Sequence, residues 1–228
     1  LAMQRATLSN CEQATGTVVV IDVLRAFTTA AYAFTAGAEQ ILLVSEVREA
    51  FQLRQQFPHA LLMGEVEGLP IPGFDFSNSP YAISQADLHG KLLIQRTSAG
   101  TQGVVRSVNA NRLLATSFCV AKATARALRY CPPDQITFVI TGAGNDDGGD
   151  EDSACADYIE ALLSPEPEPD IRPFLERVRN SVAGRKFLDP QVSEYPEIDL
   201  TYSLQVNRFD FFMEAERLAN RLILRARK

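Results

Sequence analysis

Four polar stretches of this chain carry side chains suited to metal and anion chemistry. In "VVVIDVLRAFTT" (18–29), Asp22 closes an apolar run and Arg25 follows three residues later. An acid at the end of a buried strand is costly unless it has a partner. Asp22 therefore either pairs with Arg25, caps the helix that opens there, or serves a metal ion while Arg25 takes an anion. In "GEVEGLPIPGFDFSNSP" (64–80), Glu65, Asp75, Asn78 and Ser79 are interspersed with Phe74 and Phe76. Burial of the two rings would anchor the loop and aim the Asp75 carboxylate at a pocket; the other reading is an Asx turn ending in "NSP".

In "RTSAGTQG" (96–103), Arg96, Thr97, Ser98, Gly100 and Thr101 lie between a strand and a helix start, where small residues and backbone N–H groups can cradle a phosphate. Neither the Walker A lysine spacing nor G-x-G-x-x-G is present, so binding of a nucleoside triphosphate or a dinucleotide is unsupported. In "TGAGNDDGGDEDSAC" (141–155), five acids fall within seven residues, Asp146 to Asp152. Asp150, Glu151 and Asp152 open a helix, where acids favour the macrodipole. The same cluster also suits a hard cation that takes oxygen ligands.

These stretches need a scaffold, and the intervening sequence supplies one. Apolar runs at 17–23, 40–44, 60–65, 91–95, 111–117 and 135–141 read as strands, and segments 26–38, 46–57 and 119–131 carry helical periodicity. Strand and helix in alternation predict a largely parallel or mixed sheet. Apolar runs without polar alternation predict strands covered on both faces, hence a three-layer α/β/α sandwich. Ligands of such sheets bind outside the carboxyl ends of the strands, which is where all four polar stretches fall. The expectation is that they meet at one sheet edge.

Beyond residue 163, "SPEPEPDIRP" (164–173) reads as a solvated break, so the chain is expected to form one domain, 1–228, with a sub-division near 164–173 as the alternative. After it come a helix at "PFLERVRNS" (173–181), an irregular stretch "DPQVSEYPEIDL" (189–200), a strand at "YSLQV" (202–206) and a terminal amphipathic helix at 211–227. That last helix would pack on its own domain or on a second copy, which makes a homodimer one expected assembly. No meaning attaches to the first ten residues.

Composition narrows the partners. The 228 residues carry 46% hydrophobic side chains and a formal net charge of −6, with 22 scattered Lys and Arg, which argues against a nucleic-acid surface. Four cysteines without a C-x-x-C pair and only two histidines offer no zinc spacing and fit reduced thiols in a cytoplasmic protein. The longest apolar run is far shorter than the roughly 20 residues a membrane helix needs, so no membrane association is expected.

The strings "DVLRAFTTAAYAFTAGA", "GEVEGLPIPGFDFSNSP", "RTSAGTQG" and "EDSACADYIEALL" resemble, in the same order, those of the 2-phosphosulfolactate phosphatase family, the ComB-like proteins of the coenzyme M pathway. The resemblance runs over roughly residues 17 to 163, and "LQVNRFDF" is similar to the family's ending. It implies a ComB-like α/β/α fold and a Mg²⁺-dependent phosphatase that converts 2-phosphosulfolactate to sulfolactate and phosphate.

Carried over residue by residue, the resemblance places Asp22, Arg25, Glu65, Asp75, Asn78, Ser79, Thr97, Ser98, Gly100, Thr101, Glu151 and Asp152 in the active-site motifs. The chemistry of the side chains divides them. Asp22, Glu65, Asp75, Glu151 and Asp152 are the candidate Mg²⁺ ligands, and Asp22, Arg25, Glu65 and Asp75 the candidate catalytic groups. Arg25, Asn78, Ser79, Arg96, Thr97, Ser98, Gly100 and Thr101 are the candidate phosphate-binding groups.

Two positions depart from the family pattern: Val66 stands where an arginine commonly follows the Gly-Glu pair, and Ser77 where a glycine commonly precedes Asn-Ser-Pro. They leave open a phosphometabolite-binding protein without turnover. A phospho-aspartyl route through Asp22 is the alternative to water attack, but Leu24 occupies the second position of the D-x-D pattern such enzymes use.

Overall fold

The computed structural model describes residues 2–142 and 148–228 of the chain. Among them the strands are β1 (Ala2–Thr7), β2 (Thr17–Ile21), β3 (Gln40–Val44), β4 (Leu61–Val66), β5 (Leu69–Pro70), β6 (Leu92–Arg96), β7 (Arg112–Thr116), β8 (Gln135–Ile140), β9 (Phe212–Leu218) and β10 (Arg221–Arg227). The helices are α1 (Ala26–Thr35), α2 (Val47–Gln56), α3 (Pro80–Ser84), α4 (Gly100–Arg106), α5 (Ala121–Tyr130), α6 (Asp150–Leu163), α7 (Arg172–Asn180), α8 (Val182–Lys186) and α9 (Glu197–Ser203).

The strands form one mixed sheet in the order β1-β8-β2-β7-β9-β10-β3-β6-β4-β5. Helices cover both faces, as the unbroken apolar runs predict. Val18 and Val20 of β2 point into one core with α1, while Val19 and Ile21 point into another with α5 and α6. On β3 the division repeats: Ile41 and Leu43 face the α1 side, and Leu42 and Val44 face α2. Helix α1 is buried from Ala26 to Ala33. A helix apolar on every side must be enclosed, and its small Ala and Thr side chains let its neighbours come close.

The terminal segment corrects the sequence expectation. Residues 211–227 do not form an amphipathic helix; they form the antiparallel hairpin β9–β10 in the middle of the sheet, with β9 paired to β7 and β10 to β3. Met213 and Ala215 are buried on β9 and Leu222 and Leu224 on β10, at every second position. Ala219 and Asn220 both take positive φ, 47° and 63°, as a two-residue type I′ turn requires. Between the buried positions the strands carry opposite charges that pair diagonally: Glu216 bonds Arg225 and Arg227, and Glu214 bonds Arg112 on β7. Glu, Arg, Leu and Ala suit a helix locally, but the two open strands β7 and β3 offer them backbone partners. The feature that suggested a homodimer is therefore absent.

The expected strand at 202–206 is corrected too. Tyr202 and Ser203 end α9, where Ser203 Oγ donates back to the Asp199 carbonyl and Leu204 N to the Leu200 carbonyl. At the other end of the chain, β1 adds a parallel edge strand beside β8.

The hairpin also reverses half of the sheet. Strands β1, β8, β2 and β7 run one way, and β3, β6 and β4 the other, because each group meets the hairpin antiparallel. The loops after β2, β4, β6 and β8 thus do not share the edge of one parallel sheet. Each step of a twisted sheet rotates strand direction by roughly 20–25°. The steps from β2 through the hairpin to β6 turn the second group by on the order of 100°, which carries its C-terminal ends round toward those of the first. The meeting is direct: Gln95 Nε2 on β6 donates to the Ala26 carbonyl at the start of α1 at 2.9 Å.

Because β9–β10 joins the two groups, a chain ended after Asp210 is expected to show no cooperative thermal transition by near-ultraviolet circular dichroism. A terminal helix lying on the surface would have left the transition in place at a lower temperature. No helix among the described residues is long and apolar enough to cross a membrane. Cys11, Cys119 and Cys155 are buried and Cys131 is exposed, all as free thiols.

Candidate active site

A cavity of about 190 Å³ lies where the two strand groups meet. Asp22, Arg25, Glu65, Asn78, Ser98 and Glu151 line it, together with Lys186, Phe187 and Tyr195 from the later part of the chain. Of the sequence candidates, these six are brought together.

Asp22 leaves the end of β2 almost fully buried, and its Oδ1 accepts the Ala26 N–H at 2.9 Å. The helix-cap reading of the sequence thus holds, and the expected Asp22–Arg25 pair is not made. Burial pushes the Asp22 carboxyl up to about 7; Glu65 and Glu151 add like charge, against the Ala26 and Gly100 N–H groups. The close approach of α4 explains Gly100: a Cβ there would stand 2.7 Å from both Asp22 Oδ2 and Ala26 Cβ. Gly100→Ala should therefore lower Tm by roughly 2–10 °C, from an overpacking cost of about 1–3 kcal/mol, and reduce activity with it. Calorimetry and turnover on the same preparation check this; an unchanged pair of values would show that α4 can move away freely.

Glu65 ties two loops together. Its Oε1 accepts Ser98 N–H at 2.5 Å and its Oε2 accepts Gly68 N–H at 2.6 Å. Ser98 Oγ in turn accepts the Glu67 N–H at 2.8 Å. Gly68 has φ +81°, and a Cβ there would fall 1.8 Å from Tyr195 Oη, so only glycine lets the tyrosine cover this turn. Asn78 is 4% exposed, and its Oδ1 has no hydrogen-bond partner among the described residues. A buried amide oxygen left in that state is a ligand waiting for a donor or a cation.

Other candidates are placed differently. Asp75 does not point into the cavity: its Oδ2 accepts from Arg54 Nη1 at 2.9 Å and from Leu62 N–H at 2.8 Å. Leu62 precedes Glu65 by three residues, roughly 10 Å along the strand, so Asp75 braces the other end of β4. Phe74 and Phe76 do anchor the loop, packing into the α2 core and the α1 core respectively.

Arg96 spends its guanidinium on the Ser45 and Glu65 carbonyls, at 3.1 and 2.8 Å. Thr97 and Thr101 cap each other: Thr101 N–H donates to Thr97 Oγ1 at 3.0 Å and Thr97 N–H to Thr101 Oγ1 at 2.9 Å. The expected phosphate cradle thus has much of its donor set committed to holding the loop.

Asp152 faces β2 and β8 instead of the cavity, accepting from Val23 N–H, Gly142 N–H and Thr141 Oγ1 at 2.8, 3.0 and 3.1 Å. Burial holds its carboxyl well above the usual range, with Glu151 and Asp22 adding to the effect. Asp146 and Asp147 lie outside the described residues.

Sequence reasoning missed Asp199, which is fully buried. Its Oδ2 accepts from Arg25 Nη1 at 2.6 Å, and its Oδ1 from Ser79 Oγ at 2.7 Å and Tyr81 N–H at 3.2 Å. The Arg25 guanidinium lies 5.2 Å from the ring centroids of both Phe187 and Tyr195. The stretch from Ser181 to Leu200, of which 189–200 reads as irregular in the sequence, thus supplies one wall of the cavity. Its partners are 120 and 174 residues away in the chain, and no local spacing could reveal them.

Among the described residues, no three His, Cys, Asp or Glu side chains form a ready-made metal cage. The donor set still suits Mg²⁺, which takes one or two carboxylates and keeps waters and substrate oxygens for its other positions. Asp22, Glu65, Glu151 and the unpartnered Asn78 Oδ1 are all hard oxygen donors in one cavity, and a cation would relieve the like charge around Asp22.

Comparison with known proteins identifies the family. The 2-phosphosulpholactate phosphatase family model matches residues 3–172, a span that includes all four strand-end loops. A probable 2-phosphosulfolactate phosphatase of Bacillus subtilis (strain 168) is 35% identical over 198 residues, 87% of this chain and 86% of that protein. One of Carboxydothermus hydrogenoformans is 34% identical over 221 residues, 91% of this chain and 89% of that protein. With the family model matched over residues 3–172 and such relatives about 35% identical over most of both chains, this chain belongs to the 2-phosphosulfolactate phosphatase family.

Proposed function

We propose that the chain is a Mg²⁺-dependent phosphatase that hydrolyses 2-phosphosulfolactate, or a related phosphorylated 2-hydroxy acid, to the hydroxy acid and phosphate. The observation that carries this reading is one small cavity lined by the acids Asp22, Glu65 and Glu151 together with Arg25 and Lys186. The names of the relatives point to the same substrate.

Asp22, Glu65, Glu151 and Asn78 would hold the ion; when bound, Mg²⁺ supplies Lewis-acid polarisation of a phosphoryl oxygen. Asp22 is fixed by the Ala26 N–H and by the close approach of Gly100. So fixed, its carboxylate suits orienting an attacking water. Ser98 and Glu65 lock together the two loops on this side of the cavity, so its shape is set before the substrate arrives. Phe187 and Tyr195 close the cavity and restrict bulk water.

Phosphate release from 2-phosphosulfolactate, 2-phospholactate and phosphoglycolate, with Mg²⁺ and then with EDTA, tests the reading. Release that needs Mg²⁺ and is fastest with 2-phosphosulfolactate is the expected result. Release from another acid would keep the chemistry and change the substrate. Binding without release from any of them would favour a phosphometabolite-binding protein, the reading that Val66 and Ser77 keep open.

A further inference from the structure

We propose that Asp199 is a positioning residue that makes Arg25 the docking point for the acidic group of the substrate that is not transferred. The inference rests on the phosphatase reading above. A buried carboxylate is costly unless it is both paired and hydrogen-bonded, and Asp199 spends both oxygens on elements of the cavity. Oδ2 takes Arg25 at 2.6 Å, while Oδ1 takes Ser79 Oγ and the Tyr81 N–H at the start of α3.

The guanidinium also lies against the Phe187 and Tyr195 rings, each centroid 5.2 Å away, and the two rings meet each other edge to face at 84°. Perpendicular rings cannot both stack on one planar group, so they fix its place without covering both of its faces, and Asp199 holds one nitrogen, Nη1. The remaining edge is a planar fork of the kind that takes a carboxylate or sulfonate.

Charge separates this role from phosphoryl transfer. Asp199 already balances Arg25, so the pair adds little positive charge where the phosphoryl group develops negative charge, but it gives a strongly oriented set of donors. The carboxylates that suit a cation come from the strand-end loops and helix α6, whereas Asp199, Phe187, Tyr195 and Lys186 all come from the closing stretch 181–200. One part of the cavity thus suits the ester phosphate and the other the acid group beside it.

The test is calorimetric binding of sulfolactate and of inorganic phosphate, each in Mg²⁺, to the wild-type chain and to Asp199→Asn, with steady-state kinetics on 2-phosphosulfolactate. Asp199→Asn should weaken sulfolactate at least tenfold, leave phosphate within about twofold, and raise KM far more than it lowers kcat. If removing one charge from the buried pair prevents folding, the double variant Arg25→Gln, Asp199→Asn removes both and should give the same split.

Equal weakening of both ligands, no weakening of either, a fall in kcat alone, no sulfolactate binding by the wild type, or failure of both variants to fold would each overturn the assignment. Absence of phosphate release by the wild type would instead sink the phosphatase reading, which the binding split does not depend on.

Discussion

Asp22→Asn is expected to lower phosphate release on the order of a thousandfold while making the metal-free protein more stable. Asparagine has the size of aspartate and keeps an oxygen for the Ala26 N–H, so the turn after β2 survives at the loss of the acceptor for the Gly100 N–H. What is lost is the charge at the centre of the acidic cavity, where Asp22 lies between Glu65 and Glu151. A thousandfold loss corresponds to about 4 kcal/mol of transition-state stabilisation, a reasonable size for a group that both holds the cation and orients the water.

The stability gain follows from the same burial. An ionised Asp22 costs the apoprotein energy that a neutral amide does not, so at pH 8 in EDTA the variant should melt several degrees above the wild type. Turnover and Tm measured on one preparation check both halves. Retained, magnesium-dependent turnover would remove Asp22 from the site, and a lower Tm would mean that its charge is stabilising rather than tolerated.

The second large effect is on pH and metal together. In EDTA, the Tm of the wild type is expected to fall as pH rises from 5 to 8. The Asp22 carboxyl is raised by burial to about 7 from an ordinary value of 3.8, and Asp152 is raised in the same direction. Below pH 4, folded and unfolded chains both carry the proton and nothing is lost. Between about 4 and 7 the unfolded chain releases it while the folded chain keeps it, so stability falls as pH rises. Above 7 the full cost is present, about 4 kcal/mol for Asp22 at 1.36 kcal/mol per pH unit, or roughly 10 °C in a chain of this length.

Magnesium binds the ionised form, so it should raise Tm more at pH 8 than at pH 5, which reverses much of the decline. Differential scanning calorimetry at three pH values, with and without Mg²⁺, reads this directly, and Asp22→Asn should flatten the EDTA profile. A profile that is flat in the wild type would show that water or a permanent partner already solvates the carboxylate.

Much of the fold was legible because local physics writes it locally. The run "TVVVI" has no polar alternation because both of its faces are covered, and the sequence shows this as plainly as the cores on either side of β2 do. Helix α6 begins at Asp150 with three acids in its first turn, as the macrodipole favours. The strings around Asp22, Glu65, Ser98 and Glu151 mark the cavity because each follows a strand, and the end of a strand has a fixed place in the sheet.

Other features were not written locally. The residues 211–227 fit a helix and a hairpin almost equally well, and the open edges of β7 and β3 chose the hairpin by offering hydrogen bonds. That choice reversed half of the sheet and replaced a shared edge with a meeting of two strand groups. Asp75 looked like a site carboxylate until Arg54 and the Leu62 N–H claimed it.

Six strands, β2, β3, β4, β6, β7 and β8, the loops that carry polar chemistry and the family they belong to were thus legible in the sequence. Each depends on the period of nearby side chains or on a contiguous string. Tertiary contacts alone settled which acids share the cavity, that Arg96, Thr97 and Thr101 hydrogen-bond within and between the loops, and that Asp199 grips Arg25 across 174 residues. Those outcomes depend on which distant group reaches a buried charge and can satisfy its hydrogen bonds, and that competition leaves no periodic trace along the chain.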